Sequence, residues 1–125
     1  MFLSPLLSPP GASRRLANAT RGTVLATHLE TAFDSASRNR GLLGRAHLDD
    51  GSAIVLAPCG AVHTFGMRFP VDAVFVARDG RVVKVCEALP PWRLSGAWRG
   101  FAVVEGPVGM IARTGTRARD LLVVE

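Results

Sequence analysis

The sequence predicts a small β-rich fold, all-β or α+β, in which about seven mostly antiparallel strands and two short helices form a barrel or a sandwich. The chain has 125 residues, of which 48% are hydrophobic and 20% charged. This length and composition are typical of one globular domain. Short runs rich in β-branched residues alternate with Gly, Pro and Asp. Two such runs flank Asp79-Gly80, the strongest short-range signal for a β-hairpin.

The first elements follow a segment without periodicity. Residues 1–20 are rich in Pro, Ser and Arg and show the repeat of neither a strand nor a helix. We therefore expect a flexible N-terminal arm that is dispensable for folding, followed by a single domain over residues 21–125. Residues 22–30 are the first predicted strand. Asp34 as N-cap and Gly41 as C-terminal stop then predict a short helix between them.

The remaining elements are mostly extended. Residues 52–58 and 62–70 are apolar runs that each end in proline, as expected of short strands. The predicted hairpin occupies residues 71–89. Two later strands and one short helix are predicted at residues 101–106, 120–125 and 107–115.

The charge pattern limits the partners. The net charge is +5, but the arginines are spread along the chain and the sequence shows no aromatic series for stacking bases. Nucleic acid is therefore an unlikely partner, and we expect an unknown small molecule or protein instead. No run approaches the ~20 apolar residues of a membrane helix. A cytoplasmic protein without a cofactor is the default expectation.

Three residues with soft-ligand chemistry, Cys59, His63 and Met67, recur every four positions. On a helix they would lie about 6 Å apart, whereas an extended chain separates them by about 13 Å per step. Because the surrounding residues favour extended structure, no metal site is expected. The same segment also allows two enzymatic arrangements, a Cys59 thiolate with His63 as base and an acid-base pair of His63 and Asp72.

Hairpin geometry suggests a charge cluster. A two-residue turn at Asp79-Gly80 places Asp72 opposite Glu87, and directly opposed carboxylates need a cation between them. Arg68 and Arg45 are the cations expected there. The same register pairs Arg78 with Arg81, Phe75 with Lys84 and Ala73 with Cys86.

From these patterns we predict a non-enzymatic binding or accessory module with a polar cleft. Trp92 lies in a Pro-rich loop, where an aromatic side chain could form the wall of a binding groove. The predicted ligand-binding residues are Arg45, His63, Arg68, Asp72 and Trp92. The alternative is a small thiol-dependent or acid-base enzyme using the pairs named above.

Four segments, around residues 41–45, 63–76, 79–83 and 109–124, resemble the bacterial and archaeal family called Domain of Unknown Function 192. The resemblance spans roughly residues 22–125 and implies a small, mostly antiparallel β fold. It implies no reaction, since the family has no established activity. Leu43, Gly66 and Arg119 depart from the family pattern, which usually has Met, Trp and Gly there. The matching positions are Gly41, Leu42, Arg45, Phe65, Met67, Asp72, Asp79 and Gly80.

Overall fold

The protein is described by a computed structural model, which covers residues 2–7 and 14–125. It is β-rich, as predicted, with ten strands and two short α-helices in these residues. A 3-10 turn, Ser4–Leu7, precedes the first strand. The elements are β1 (Leu16–Asn18), β2 (Thr23–Ala26), β3 (His28–Ala32), α1 (Ser35–Arg40), β4 (Ser52–Leu56), β5 (Ala61–His63), β6 (Val71–Val76), β7 (Val82–Leu89), β8 (Leu94–Gly96), β9 (Ala102–Gly106), α2 (Met110–Thr114) and β10 (Leu122–Val124).

Three sheets build the fold. The central sheet has five strands in the order β3-β4-β9-β6-β7, with β3 parallel to β4 and the other neighbours antiparallel. A three-stranded sheet, β10-β1-β2, and a two-stranded sheet, β5-β8, complete the structure. The arrangement is sandwich-like, and the described strands do not close into a barrel.

The central sheet is buried on both faces. Strand β9 lies in its middle, and all five of its residues are buried. On one face, Val74 and Val104 pack in a core shared with the three-stranded sheet and α2. On the other face, Phe75 and Val103 pack under the segments that surround β5. Alternation along each strand therefore decides which core a side chain enters.

The hairpin forms at the predicted place with a different turn. Ala77 accepts a hydrogen bond from the Gly80 amide at 3.0 Å, and Gly80 has a φ of 95°, which favours glycine. The connection therefore has three residues and a bulge, and the predicted pairing of Arg78 with Arg81 is wrong. Because a register shift beside Val76 compensates, two predicted pairs are confirmed. They are Phe75 with Lys84 and Ala73 with Cys86.

The domain begins before residue 21. Strand β1 lies between β10 and β2, and Leu16 is fully buried. Leu3 is also buried in the core. The expected boundary is therefore corrected, because β1 obtains its order from partners far along the chain. The remainder of the expected arm, at residues 1 and 8–13, lies outside the described residues.

Two predicted strands are shorter than expected. The run at residues 22–30 breaks into β2 and β3 at Thr27. The run at residues 62–70 ends as a strand at His63, and the chain then turns so that the Met67 amide donates to the Thr64 carbonyl at 3.1 Å. The helix caps at Asp34 and Gly41 are confirmed. Neither α-helix in the described part of the chain could span a membrane.

Candidate functional site

A buried carboxyl group marks the candidate site. Glu105 lies on β9, between Ile54 of β4 and Ala73 of β6, and is only 3% exposed. Its side chain points to the same face as Val103, because alternate residues of a strand share a face. None of the described residues donates a hydrogen bond to its carboxylate. Among the described residues, no side-chain oxygen or nitrogen that is completely shielded lacks a hydrogen-bond partner, so the Glu105 carboxylate keeps contact with the adjoining cavity. Buried acidic groups are usually paired, and this one has only the cavity as its neighbour.

Glu105 lines a cavity of about 190 Å³. Helix α1 and the loop after it form one wall, including Arg38, Arg40 and Leu43. The opposite wall comes from the turn after β4 and from β5. The complete lining is Arg38, Asn39, Arg40, Gly41, Leu42, Leu43, Leu56, Cys59, Ala61, Val62, His63, Met67 and Glu105. The cavity therefore combines apolar side chains with polar and basic ones and contains a single buried acid.

Burial controls the ionisation of Glu105. Removing the carboxylate from water raises the pKa of Glu105 to about 7. The group is therefore close to half-ionised at neutral pH. A carboxyl group in this state can donate a hydrogen bond when it is protonated and can pair with a cation when it is charged.

Cys59 lies beside this cavity but is not an activated thiol. Its Sγ donates to the Ala61 carbonyl at 3.0 Å. Burial raises the pKa of the Cys59 thiol, and the nearby Glu105 charge acts in the same direction. The thiolate is the nucleophilic form of cysteine, so this environment lowers reactivity. The geometry therefore disfavours the Cys59 and His63 enzyme.

Alkylation tests this conclusion. We expect Cys59 to react with iodoacetamide more slowly than free cysteine near neutral pH, because little of the thiol is ionised. Mass spectrometry of a time course separates Cys59 from Cys86 by peptide, with Cys86 as the internal comparison. Faster labelling of Cys59 than of both Cys86 and free cysteine would restore the thiol-enzyme alternative.

Asp72 is a structural residue on the other face of the central sheet. It is fully buried, and its carboxylate accepts hydrogen bonds from three backbone amides. The donors are Ala88 at 2.8 Å, Gly109 at 3.2 Å and Ile111 at 2.9 Å. Asp72 therefore ties the hairpin to the start of α2. It does not meet His63, so the proposed acid-base pair is not formed.

The predicted charge cluster is absent from the described residues. Glu87, the expected neighbour of Asp72, is exposed. Arg45 instead binds both carboxylate oxygens of Glu30, at 2.6 and 2.9 Å, and these hydrogen bonds hold the pKa of Glu30 below its usual value. Arg68 is exposed. Backbone amides, not arginines, thus supply the hydrogen bonds of the buried aspartate. The predicted hairpin register did not include these amides.

The last two predicted site residues belong to one aromatic cluster. His63 stacks on Phe65 with ring centroids 5.2 Å apart, and Phe65 stacks on Trp92 at 6.0 Å. His63 also lines the Glu105 cavity. Of the five predicted ligand-binding residues, the structure therefore brings His63 and Trp92 together and separates Arg45 and Asp72 from them.

Comparison with known proteins fixes the family. The profile of the family DUF192, described as "Uncharacterized ACR", matches residues 16–124. This chain belongs to the DUF192 family. No curated protein matches it. The match begins at β1, in agreement with the earlier start of the domain.

Solved structures share the fold of this DUF192 domain. A protein of unknown function from Novosphingobium aromaticivorans DSM 12444 is 25% identical, with a TM-score of 0.76 over 89% of this chain and 83% of that one. A "putative transcription regulator" from Sinorhizobium meliloti 1021 is 21% identical, with a TM-score of 0.74 over 91% and 96% of the two chains. These similarities show that the two proteins share the fold of this chain.

Two of the departures from the family pattern meet at the cavity of this DUF192 member. A side chain at Gly66 would begin 3.6 Å from Leu43, which lines the cavity. Leu43 and Gly66 stand where the pattern usually has Met and Trp, so these positions shape one region of the wall. Arg119 has a φ of 79°, a conformation that explains the usual glycine at that position.

Glu105 was not among the residues that the sequence patterns singled out. A single acidic residue in the apolar run at residues 101–106 was a usable signal, since a central strand buries both faces. The turn at Gly66 also brings Met67 to the same cavity as Cys59 and His63. Within residues 2–7 and 14–125, no three His, Cys, Asp or Glu side chains are grouped closely enough to hold a metal ion.

Proposed function

We propose that this domain is a non-enzymatic binding module that holds a small organic amine in the Glu105 cavity. The observation that carries the proposal is a carboxyl group, 3% exposed, that lines the cavity without a hydrogen-bond partner among the described residues. A bound amine would supply the missing partner. Its positive charge would favour the carboxylate form, as an opposite charge within about 4 to 6 Å does.

The arginines that line the cavity do not pair with Glu105, which supports a cationic ligand as its partner. Arg38 of α1 also lines the cavity, and its guanidinium donates to the Phe33 and Ala57 carbonyls at 2.9 and 3.3 Å. Arg40, at the rim, is exposed. Neither forms a hydrogen bond with Glu105, so the charge of the acid is unmatched within the described residues.

Cavity size limits the ligand. The volume of about 190 Å³ is slightly larger than the ~150 Å³ of an engineered apolar cavity that binds benzene. Leu42, Leu56 and Met67 provide apolar contacts. A ligand with one ring or a short branched chain and one amino group fits both the size and the chemistry.

Benzylamine is a suitable probe, with benzyl alcohol and benzoate as neutral and anionic controls of similar shape. At pH 8 we expect benzylamine to raise the melting temperature of the wild type, because it binds only the folded state. Glu105→Gln should abolish that shift, while Glu87→Gln, which makes the same change at an exposed carboxylate outside the cavity, should retain it. Equal shifts with benzyl alcohol, or an undiminished shift in Glu105→Gln, would contradict the proposal.

The pH dependence has a definite sign. At pH values below its pKa of about 7, Glu105 is mostly protonated and must lose a proton to pair with an amine. Affinity for benzylamine should therefore rise about tenfold per pH unit up to pH 7 and then level off. Calorimetry at several pH values measures this slope. Tighter binding of benzoate at low pH would instead assign an anionic ligand to the protonated acid.

Glu105→Gln should fold well enough for this comparison. The pKa of Glu105 is raised in the folded state, so burying the carboxylate costs stability. This cost is absent below about pH 4.5, grows as the pH rises to 7 and is complete above it. The cost is on the order of 3 kcal/mol for a shift of this size. The variant is thus expected to gain stability relative to the wild type as the pH rises from 5 to 8.

A further inference from the structure

An exposed aromatic surface lies next to the Glu105 cavity. We define the aromatic lobe as residues 59–70 and 90–100, which carry β5 and β8. Its aromatic and apolar side chains are unusually exposed, with Trp92 at 66%, Leu94 at 72% and Trp98 at 88%. Exposed groups of this kind mark interaction surfaces when they are contiguous.

Three rings in the lobe form a ladder. His63, Phe65 and Trp92 stack in sequence, with interplanar angles of 30° and 25°. Phe65 is 46% exposed, and Trp92 ends the ladder. The prediction that nucleic acid is unlikely rested on arginines spread along the chain and on the absence of an aromatic series in the sequence. Folding creates such a series from two segments that are almost 30 residues apart.

The backbone holds Trp92 in a strained position. Its φ of 64° is rare for a bulky residue and is stabilised only where the surroundings fix it. Thr64, fully buried, supplies that support. Its carbonyl accepts from the Trp92 amide at 3.0 Å, and its hydroxyl accepts from the Arg93 amide at 2.9 Å and donates to the Pro90 carbonyl at 2.6 Å. The fold therefore fixes the backbone from which this exposed tryptophan projects.

The positive charge of the lobe indicates which kind of partner it binds. Arg68, Arg93 and Arg99 are exposed, and the two segments contain no Asp or Glu. An aromatic ladder with arginines and without acids is complementary to a chain that has planar faces and negative charges. Bases stack on aromatic rings in a sequence-tolerant way, and arginines neutralise phosphates.

We propose that the part of the aromatic lobe around Trp92 binds single-stranded nucleic acid, with a base stacked on Trp92, the exposed end of the ladder, and phosphates held by Arg68 and Arg93. An acidic polypeptide would satisfy the arginines but would not need the ladder. The ladder shares His63 with the wall of the Glu105 cavity, but Trp92, Arg68 and Arg93 do not line that cavity. Variants of these three residues and Glu105→Gln therefore test the two proposals independently.

Fluorescence anisotropy with labelled oligothymidylate of about 12 nucleotides tests the proposal on the full chain. Trp92→Ala should weaken binding roughly 5- to 100-fold, the range expected for one lost stacking contact. Trp98→Ala is the matched control, because Trp98 is exposed outside the ladder, and it should have little effect. Trp92→Phe should restore most of the affinity. Melting curves of each variant confirm that it is folded.

Salt dependence supplies a second readout. Arg68→Ala and Arg93→Ala should each lower the slope of log affinity against log salt by roughly 0.7. Arg117→Ala, which changes an exposed arginine outside the lobe, should leave the slope unchanged. Absence of binding at low salt, or equal losses from Trp92→Ala and Trp98→Ala, would overturn the proposal. Displacement of the oligonucleotide by oligoglutamate with equal affinity would assign the surface to acidic protein.

Discussion

A chain that begins at Arg21 is expected to lose cooperative folding. It lacks Leu3 and Leu16, which are at most 1% exposed, and burial of each contributes about 1.5 to 3 kcal/mol. It also lacks Asn18, whose side chain donates to Asp120 at 2.9 Å and to Thr116 at 3.1 Å. The summed loss exceeds about 5 kcal/mol, comparable with the total stability of a small domain.

Thermal melting followed by circular dichroism measures this effect. A chain that begins at Arg14 is the control, because it retains β1 and loses only Leu3 from the two buried leucines. We expect it to melt cooperatively at a reduced temperature. If the chain that begins at Arg21 melts like the full protein, residues 1–20 are dispensable after all, and the role assigned to β1 is wrong.

Replacing Asp72 with alanine is expected to cost about 3 to 5 kcal/mol, because it removes the acceptor of three hydrogen bonds. The Ile111 amide would remain buried without a partner, and the amides of Ala88 and Gly109 would lose theirs in part-buried positions. Urea denaturation gives the free energy of unfolding directly. We expect the loss to be larger than that of any exposed carboxylate.

Glu87→Ala is the matched control, since this carboxylate lies on the neighbouring strand and is exposed. It should change stability by no more than about 0.5 kcal/mol. Arg68→Met should be similarly neutral, whereas the charge-cluster hypothesis requires a loss of about 1 to 3 kcal/mol. Large effects of Glu87→Ala and Arg68→Met, with a small effect of Asp72→Ala, would restore that cluster.

Local signals predicted the elements whose determinants are local. Helix α1 follows from Asp34 and Ser37, which form a capping box within three residues, with a 2.7 Å bond from the Ser37 amide. The hairpin follows from Asp79-Gly80, although the turn gained a residue. In each case the residues that stabilise the element stand beside it in the sequence.

Features that depend on distant partners could not be predicted. Leu16 pairs with Val124, at the other end of the chain. The amides that bind Asp72 include Gly109 and Ile111, which a hairpin register does not reveal. Glu105 is buried because β9 became the middle strand of the sheet. Strand order across the whole domain, and not local pattern, therefore determined the candidate site.

A carbon-13 NMR titration of the Glu105 carboxyl resonance shows whether this group binds a cationic ligand. In the free protein the resonance should titrate near pH 7, because burial raises the pKa to about 7. With saturating benzylamine the midpoint should fall by about one unit or more, since the bound cation stabilises the carboxylate. A midpoint near 4.5 in the free protein would show that burial does not raise the pKa of Glu105. A midpoint that benzylamine does not move would show that the amine does not pair with this carboxylate.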